Sequence, residues 1–390
     1  MYFRLLVVDM NLNRIFFFLS LALAISYSAS AQTSTAKTVN RPQTPKPPFP
    51  YDEEKVIYYN KDKSIKYGGT LTIPKRAKNV PVVILITGSG QQDRDEALFD
   101  HKPFWVIADH LSRNGIAVLR VDDRGIGETT GDVINATSAD FAKDVLVGVN
   151  FVKNHPGINV KRIGLLGHSE GGIIAPITAL QSKDIAFIVS LAGVGVKGAD
   201  LIIKQITDGF NRGGFNKDYI ERMTMLYRKM IALSNKHIND SDDSELKQAF
   251  AKFMEEWMKQ QPEVFLTQAG FSGTNGVNYI NMLAGNLYSP WMRYFNNYDP
   301  AYTLGKITIP VLALNGDKDV QVSAKENLAG FDSLLTKAGN KHFKTMLTPG
   351  LNHMFQHANT GAVSEYGKIE ETISPEVLDV ITKWIKKETR

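Results

Sequence analysis

The chain has 390 residues, 43% hydrophobic and 22% charged, the composition of an ordinary globular protein with room for one large domain plus an insertion, or for two domains. Its net charge of +5 is scattered, with no basic stripe interleaved with aromatics, which argues against a nucleic-acid partner. Cysteine is absent, which excludes disulfides, a thiol nucleophile and a lipidated cysteine.

Arg14 is followed by an apolar run from Ile15 to Ile25, then small polar residues ending in Ala29-Ser30-Ala31. This pattern predicts a secretory signal peptide over 1–31, with Met10 as an alternative start to Met1. The run is too short to span a bilayer comfortably, and no later stretch is apolar enough to cross one. An exported chain without disulfides fits a bacterial periplasm or exterior. Residues 32–50 are rich in Pro and Thr and are expected to form an extended linker without a core of its own.

Two strands are predicted over 54–59 and 65–73, around a polar turn. Pro81 to Thr87 is nearly all apolar, the mark of a strand buried on both faces, and it ends in the glycine-rich loop Gly88-Ser-Gly-Gln-Gln-Asp-Arg-Asp95. A helix over 104–114, a strand over 116–122 and a helix over 140–153 follow. Ile163 to Leu166 then runs into Gly167-His-Ser-Glu-Gly171 and a helix-forming stretch. A buried strand, a sharp G-x-S-x-G turn and a helix would lift the Ser169 hydroxyl above a sheet edge as a nucleophile. The same turn aims the Glu170 N–H toward the space where an oxyanion would form. With the next strand over 185–193, the alternation predicts a parallel sheet flanked by helices.

From 194 to 298 the alternation stops. Phe250, Phe253, Met254, Trp257 and Met258 form one helical stripe, and Ile220, Met223, Tyr227 and Met230 another, so a helical cap is expected here, with these side chains mostly as its own core. Tyr288 to Phe295 is not periodic and lies just before the chain re-enters the sheet. This places Trp291, Arg293 and Phe295 at the mouth of a site, with Trp291 and Phe295 as substrate contacts.

A strand over 309–315 precedes Gly316-Asp-Lys-Asp319, and a last strand over 342–348 precedes His353; a helix over 375–386 closes the chain. Serine, aspartate and histidine, each on a loop after a strand and in that order, make a hydrolytic triad. Chain order alone does not choose between Asp317 and Asp319. His357 lies four residues after His353, but no third ligand lies nearby, so no metal is expected.

These residues make the chain similar to the α/β-hydrolase superfamily, and more narrowly to secreted serine esterases and serine aminopeptidase-like hydrolases. The likeness runs from about Tyr51 to the C-terminus and rests on residues 88–95, Asp122-Asp-Arg-Gly-Ile-Gly127, 167–171, Ser289-Pro-Trp-Met-Arg-Tyr-Phe295, 316–319 and Asn352-His353. It implies an α/β-hydrolase core over 51–193 and 299–390 with an inserted helical cap over 194–298. It implies Ser169 as nucleophile, Asp319 as acid and His353 as base, without a cofactor. The second oxyanion N–H would come from the loop after the third strand: Ser89 first, Gly90 next, with Gly88 and Gly90 letting the backbone approach substrate. One departure is Thr87, where many relatives carry histidine. The resemblance implies hydrolysis of short-chain acyl esters, small molecules, more than cleavage of peptides. A serine aminopeptidase would want a cap carboxylate for the substrate amine, with Glu255 and Glu256 available; a non-catalytic binding protein would show a damaged triad.

Overall fold

The computed structural model describes residues 39–390 apart from Ala77 and residues 238–243. The expected signal peptide and the first part of the linker lie outside the described residues. Eight strands form one sheet in the order β1-β2-β4-β3-β5-β6-β7-β8. They are β1 (Tyr51–Tyr59), β2 (Lys66–Pro74), β3 (Val80–Ile86), β4 (Ala117–Val121), β5 (Ile158–His168), β6 (Ile185–Leu191), β7 (Val311–Gly316) and β8 (Phe343–Thr348). β2 runs antiparallel to β1 and β4, and every other pairing is parallel.

The helices flanking the sheet are α1 (Pro103–Arg113), α2 (Ser138–Lys153), α3 (Gly171–Ala179), α10 (Ala324–Lys337), the short α11 (Val363–Tyr366) and α12 (Pro375–Glu388). β3 shows why both faces are needed. Val82, Ile84 and Ile86 pack with Val149 of α2, Ile174 of α3 and Phe331 of α10, while Val83 and Leu85 pack with Phe104 of α1 and Ile381 of α12. Successive strand side chains point to opposite faces, so an unbroken apolar run fits only a strand covered on both sides.

Between β6 and β7 lie α4 (Gly198–Arg212), α5 (Lys217–Lys236), α6 (Ser244–Lys259), α7 (Glu263–Gln268), α8 (Gly273–Tyr288) and α9 (Pro290–Asn297). Their apolar faces meet in a cluster that includes Leu201, Met223, Phe250, Met254, Trp257 and Phe295, joined by Ile173, Val194 and Val322. The stretch 288–295, expected to be irregular, is mostly the helix α9. Ser289 caps it, accepting the Met292 N–H, and Pro290 takes its first position. Eight residues are too few for a helical period to show.

The described part of the Pro/Thr-rich stretch has no helix or strand but is tied to the body of the protein. The Arg41 guanidinium donates to the carbonyls of Phe99, Gly367 and Ile369, and the Gln43 amide bonds the backbone of Thr372 and Ile373.

Candidate active site

β5 lies mid-sheet between β3 and β6, and Ser169 follows its last residue. Ser169 sits in the left-handed region at φ +52°, a conformation costly for any residue with a side chain. Its N–H is held by the Leu191 carbonyl at 2.8 Å. The flanking glycines are steric necessities. A Cβ on Gly167 would come within 2.1 Å of the Gly171 carbonyl oxygen, and one on Gly171 within 2.2 Å of the Ile86 carbonyl oxygen. The turn therefore closes only with glycine on both sides of the serine, and α3 begins at once behind it.

Asp319 and His353 are brought together from the loops after β7 and β8. The His353 Nδ1 lies 2.7 Å from Asp319 Oδ2, with both side chains buried. The other carboxylate oxygen, Oδ1, accepts the N–H groups of Gln321 and Val322, each at 2.8 Å. Asp319 is thus clamped by the backbone leading into α10 and presents one oxygen to the imidazole. Asp317 faces elsewhere: its Oδ1 accepts the Gly350 N–H at 2.7 Å, bracing the neighbouring turn. His357 pairs with Glu371, and no group of three or more metal-ligating side chains occurs among the described residues.

The loop after β3 packs against the elbow, with Gly88 next to the Ser169 side chain. The Gly88 N–H is already spent on Glu96 Oε1, at 2.7 Å. The N–H groups of Ser89, Gly90 and Glu170 donate to no protein acceptor among the described residues, which leaves them available to a ligand. Gly90 has φ +101°, a conformation that side chains rarely adopt. Thr87, the departure from the commoner histidine, donates its hydroxyl to Asp123 Oδ1 at 2.8 Å, and Asp123 Oδ2 accepts the Gln92 N–H at 2.9 Å. Asp123 so pins both flanks of the loop; burial pushes its carboxyl well above the usual range, against the pull of those two bonds.

The Glu170 side chain is buried. Its Oε1 accepts the Ser138 hydroxyl at 2.6 Å and the Trp291 indole N–H at 2.8 Å. Burial raises its carboxyl, while Ser138, Trp291 and Ser89 act to lower it. Trp291 therefore joins α9 to the elbow directly. Phe295 is buried in the helical cluster and stacks on Trp291 at 5.2 Å, so it backs the indole from within the cluster. Arg293 reaches the His237 carbonyl on the far side.

Sequence reasoning missed Glu96, Asp123, Ser138 and the role of His168. The density of charge in Gln91-Gln-Asp-Arg-Asp-Glu96 was the available signal. Its charges go inward: Arg94 forks onto Asp122 and reaches Glu128, Asp95 pairs with Arg120, and Glu96 bonds Gly88 and His168.

The sequence pattern of the alpha/beta hydrolase fold family matches residues 80–358, most of the chain and all of the site just described. The chain belongs to that family. Esterase EstD of Thermotoga maritima is 25% identical to this α/β-hydrolase over 323 residues, which is 82% of this chain and 65% of EstD, so the match spans just under two thirds of that relative. Among solved structures, an esterase of Pyrococcus furiosus superposes with a TM-score of 0.50 at 17% identity, covering 92% of this chain and all of that one. A putative dipeptidyl aminopeptidase IV from Bacteroides ovatus reaches 0.51 at 12% identity, covering 86% of this α/β-hydrolase and 36% of its own length. At such identities the superpositions speak to the fold alone.

Proposed function

We propose that this α/β-hydrolase is a serine esterase cleaving short-chain acyl esters through an acyl-enzyme. The observation that carries the reading is a strained, glycine-flanked Ser169 after β5 together with a buried His353–Asp319 couple on the loops after β7 and β8. Two of the similar proteins named above are esterases by name.

In this reading His353 takes the Ser169 proton as the hydroxyl attacks the ester carbonyl. Asp319 fixes the imidazole tautomer and stabilises the cation that forms. The N–H groups of Glu170 and Ser89 hold the oxyanion, each contributing about 3–4 kcal/mol in comparable sites. His353 returns the proton to the leaving alcohol, and water then repeats the sequence on the acyl-enzyme. No cofactor enters. The helices between β6 and β7 act as a cap, and Trp291 joins it to the elbow through Glu170. We place the enzyme outside the cytoplasm, in a periplasm or beyond, on the leader-like residues 11–31 and the absence of cysteine.

An aminopeptidase is the second reading, and one neighbour carries such a name. The cap carboxylates it would use, Glu255 and Glu256, are exposed and lie within reach of Lys259 and Lys252, as on any solvated helix face. The test is a chain-length series of nitrophenyl esters beside amino-acid arylamides. Turnover of acetyl to butyryl esters with no arylamide cleavage is expected; faster arylamide cleavage would overturn the esterase reading.

A further inference from the structure

His168, the residue before Ser169, is buried with both ring nitrogens engaged. Its Nδ1 lies 2.9 Å from Glu96 Oε1 and its Nε2 lies 3.0 Å from the carbonyl oxygen of His353. A carbonyl can only accept, so Nε2 carries a proton. Glu96 Oε1 also accepts the Gly88 N–H, so it faces Nδ1 as an acceptor, and Nδ1 carries a proton too. The side chain is then an imidazolium against a buried carboxylate. Glu96 is held there from a backbone at φ +50°, a strained conformation for a residue with a side chain, of the kind that concentrates at functional sites.

These bonds form one chain from the Gly88 N–H through Glu96 and His168 to the backbone of His353. It joins the loop after β3 to the loop after β8, with the nucleophile one residue away. We propose that Glu96 and His168 are positioning residues: a buried ion pair that fixes the oxyanion loop and the base-bearing loop against the nucleophile elbow. This rests on the triad reading above.

Several charged groups bear on His168. Glu96 faces it from the loop, Asp319 acts from the acid turn, and the His353 ring lies 4.8 Å away at 47°. Beyond Glu96 lie the buried carboxyls of Asp123 and Glu170. Burial alone would push His168 down, but the Glu96 charge and hydrogen bond outweigh it, and the net shift is upward. Wild-type His168 therefore holds its second proton to a higher pH than a free imidazole does, in line with the two acceptors that face its ring nitrogens. Glu96→Gln keeps an oxygen for Gly88 but removes the countercharge. With that charge gone, burial draws the ring down, and His168 loses its second proton at a lower pH than in the wild type. Once neutral it has one N–H for two acceptors, and one loop comes loose; acid that reprotonates the ring closes both bonds again.

The test has two parts. The first is the ratio of kcat, Glu96→Gln over wild type, on nitrophenyl acetate. Followed from the most acid to the most alkaline pH at which both proteins stay folded, it should fall about tenfold or more as the variant's His168 loses its second proton, since small misplacements of reacting groups cost on that order, with KM little changed. A purely structural role would lower the ratio equally at every pH. The second part is nitrogen NMR of wild-type His168, assigned with His168→Gln, which should show both ring nitrogens protonated to a higher pH than in a free imidazole. This readout stands even where Glu96→Gln fails to fold. A pH-independent ratio in a folded variant, or a wild-type His168 that loses its second proton no later than a free imidazole does, overturns the proposal. Failure of the triad reading is seen separately, as activity retained in Ser169→Ala; a labelled Ser169 with a flat ratio removes the positioning role alone.

Discussion

Replacing Asp319 by Asn should reveal whether the clamped carboxylate orients the base. Asp319 Oδ1 is fixed by two N–H donors, Gln321 and Val322, and an amide can satisfy both only with its own oxygen. That leaves the Asn NH₂ where Oδ2 stood, 2.7 Å from His353 Nδ1. An NH₂ there donates, so Nδ1 must accept and the ring proton moves to Nε2, the atom that should receive the serine proton. The base is then blocked by its own tautomer. The comparable substitution in a serine-protease triad costs about 10⁴ in kcat, which is about 5 kcal/mol of barrier. The fold should persist, because the buried packing is unchanged and both backbone bonds survive. Asp317→Asn is the control. It weakens one hydrogen bond to Gly350 at the protein surface, worth about 1 kcal/mol, and touches no part of the triad. The assay is kcat on nitrophenyl acetate with thermal midpoints for both variants. A folded Asp319→Asn enzyme within tenfold of wild type, or a dead Asp317→Asn enzyme, would refute the assignment.

Ser169→Gly should lose activity yet gain about 0.5–1 kcal/mol of stability in a thermal melt, because glycine relieves the left-handed strain at φ +52° and returns part of that gain as unfolded-chain entropy. Gly171→Ala should lower the melting temperature sharply, since its Cβ would meet the Ile86 carbonyl at 2.2 Å and neither backbone can give way cheaply. Trp291→Phe removes the indole donor from buried Glu170 and should cost about 1–3 kcal/mol by denaturant titration. Trp291→Ala should change acyl or alcohol preference more than attack on an acetyl ester, read from the ester series. His168 should tie stability to pH: its folded value is raised, so its contribution is complete below about pH 6.5 and is lost as pH rises through the folded value. Wild type should therefore lose melting temperature relative to His168→Gln as pH climbs through that value.

What could be read from the sequence was what local chemistry dictates. The apolar run of β3, the glycine pair around Ser169 and the Gly-x-x-Asp turn each have one physical solution, and the structure realises it. Chain order left Asp317 and Asp319 undivided, and the structure separates them: Asp319 faces His353, while Asp317 accepts the Gly350 N–H of the neighbouring turn. The reading failed where partners are distant in the chain. Glu96 and His168 are 72 residues apart and Trp291 and Glu170 are 121 apart, so no spacing rule could pair them. The partners of His168 sit on two other loops and leave no trace in its neighbouring residues. The helix α9 was hidden by its length, though Ser289-Pro290 was a legible start signal.

The central claim is that Ser169 is the nucleophile, and covalent labelling tests it most directly. A fluorophosphonate probe, followed by mass spectrometry of the digested protein, should place one adduct on Ser169, and Ser169→Ala should take up no probe and hydrolyse no ester while melting like the wild type. An adduct on another residue, or ester turnover surviving in Ser169→Ala, would contradict the account.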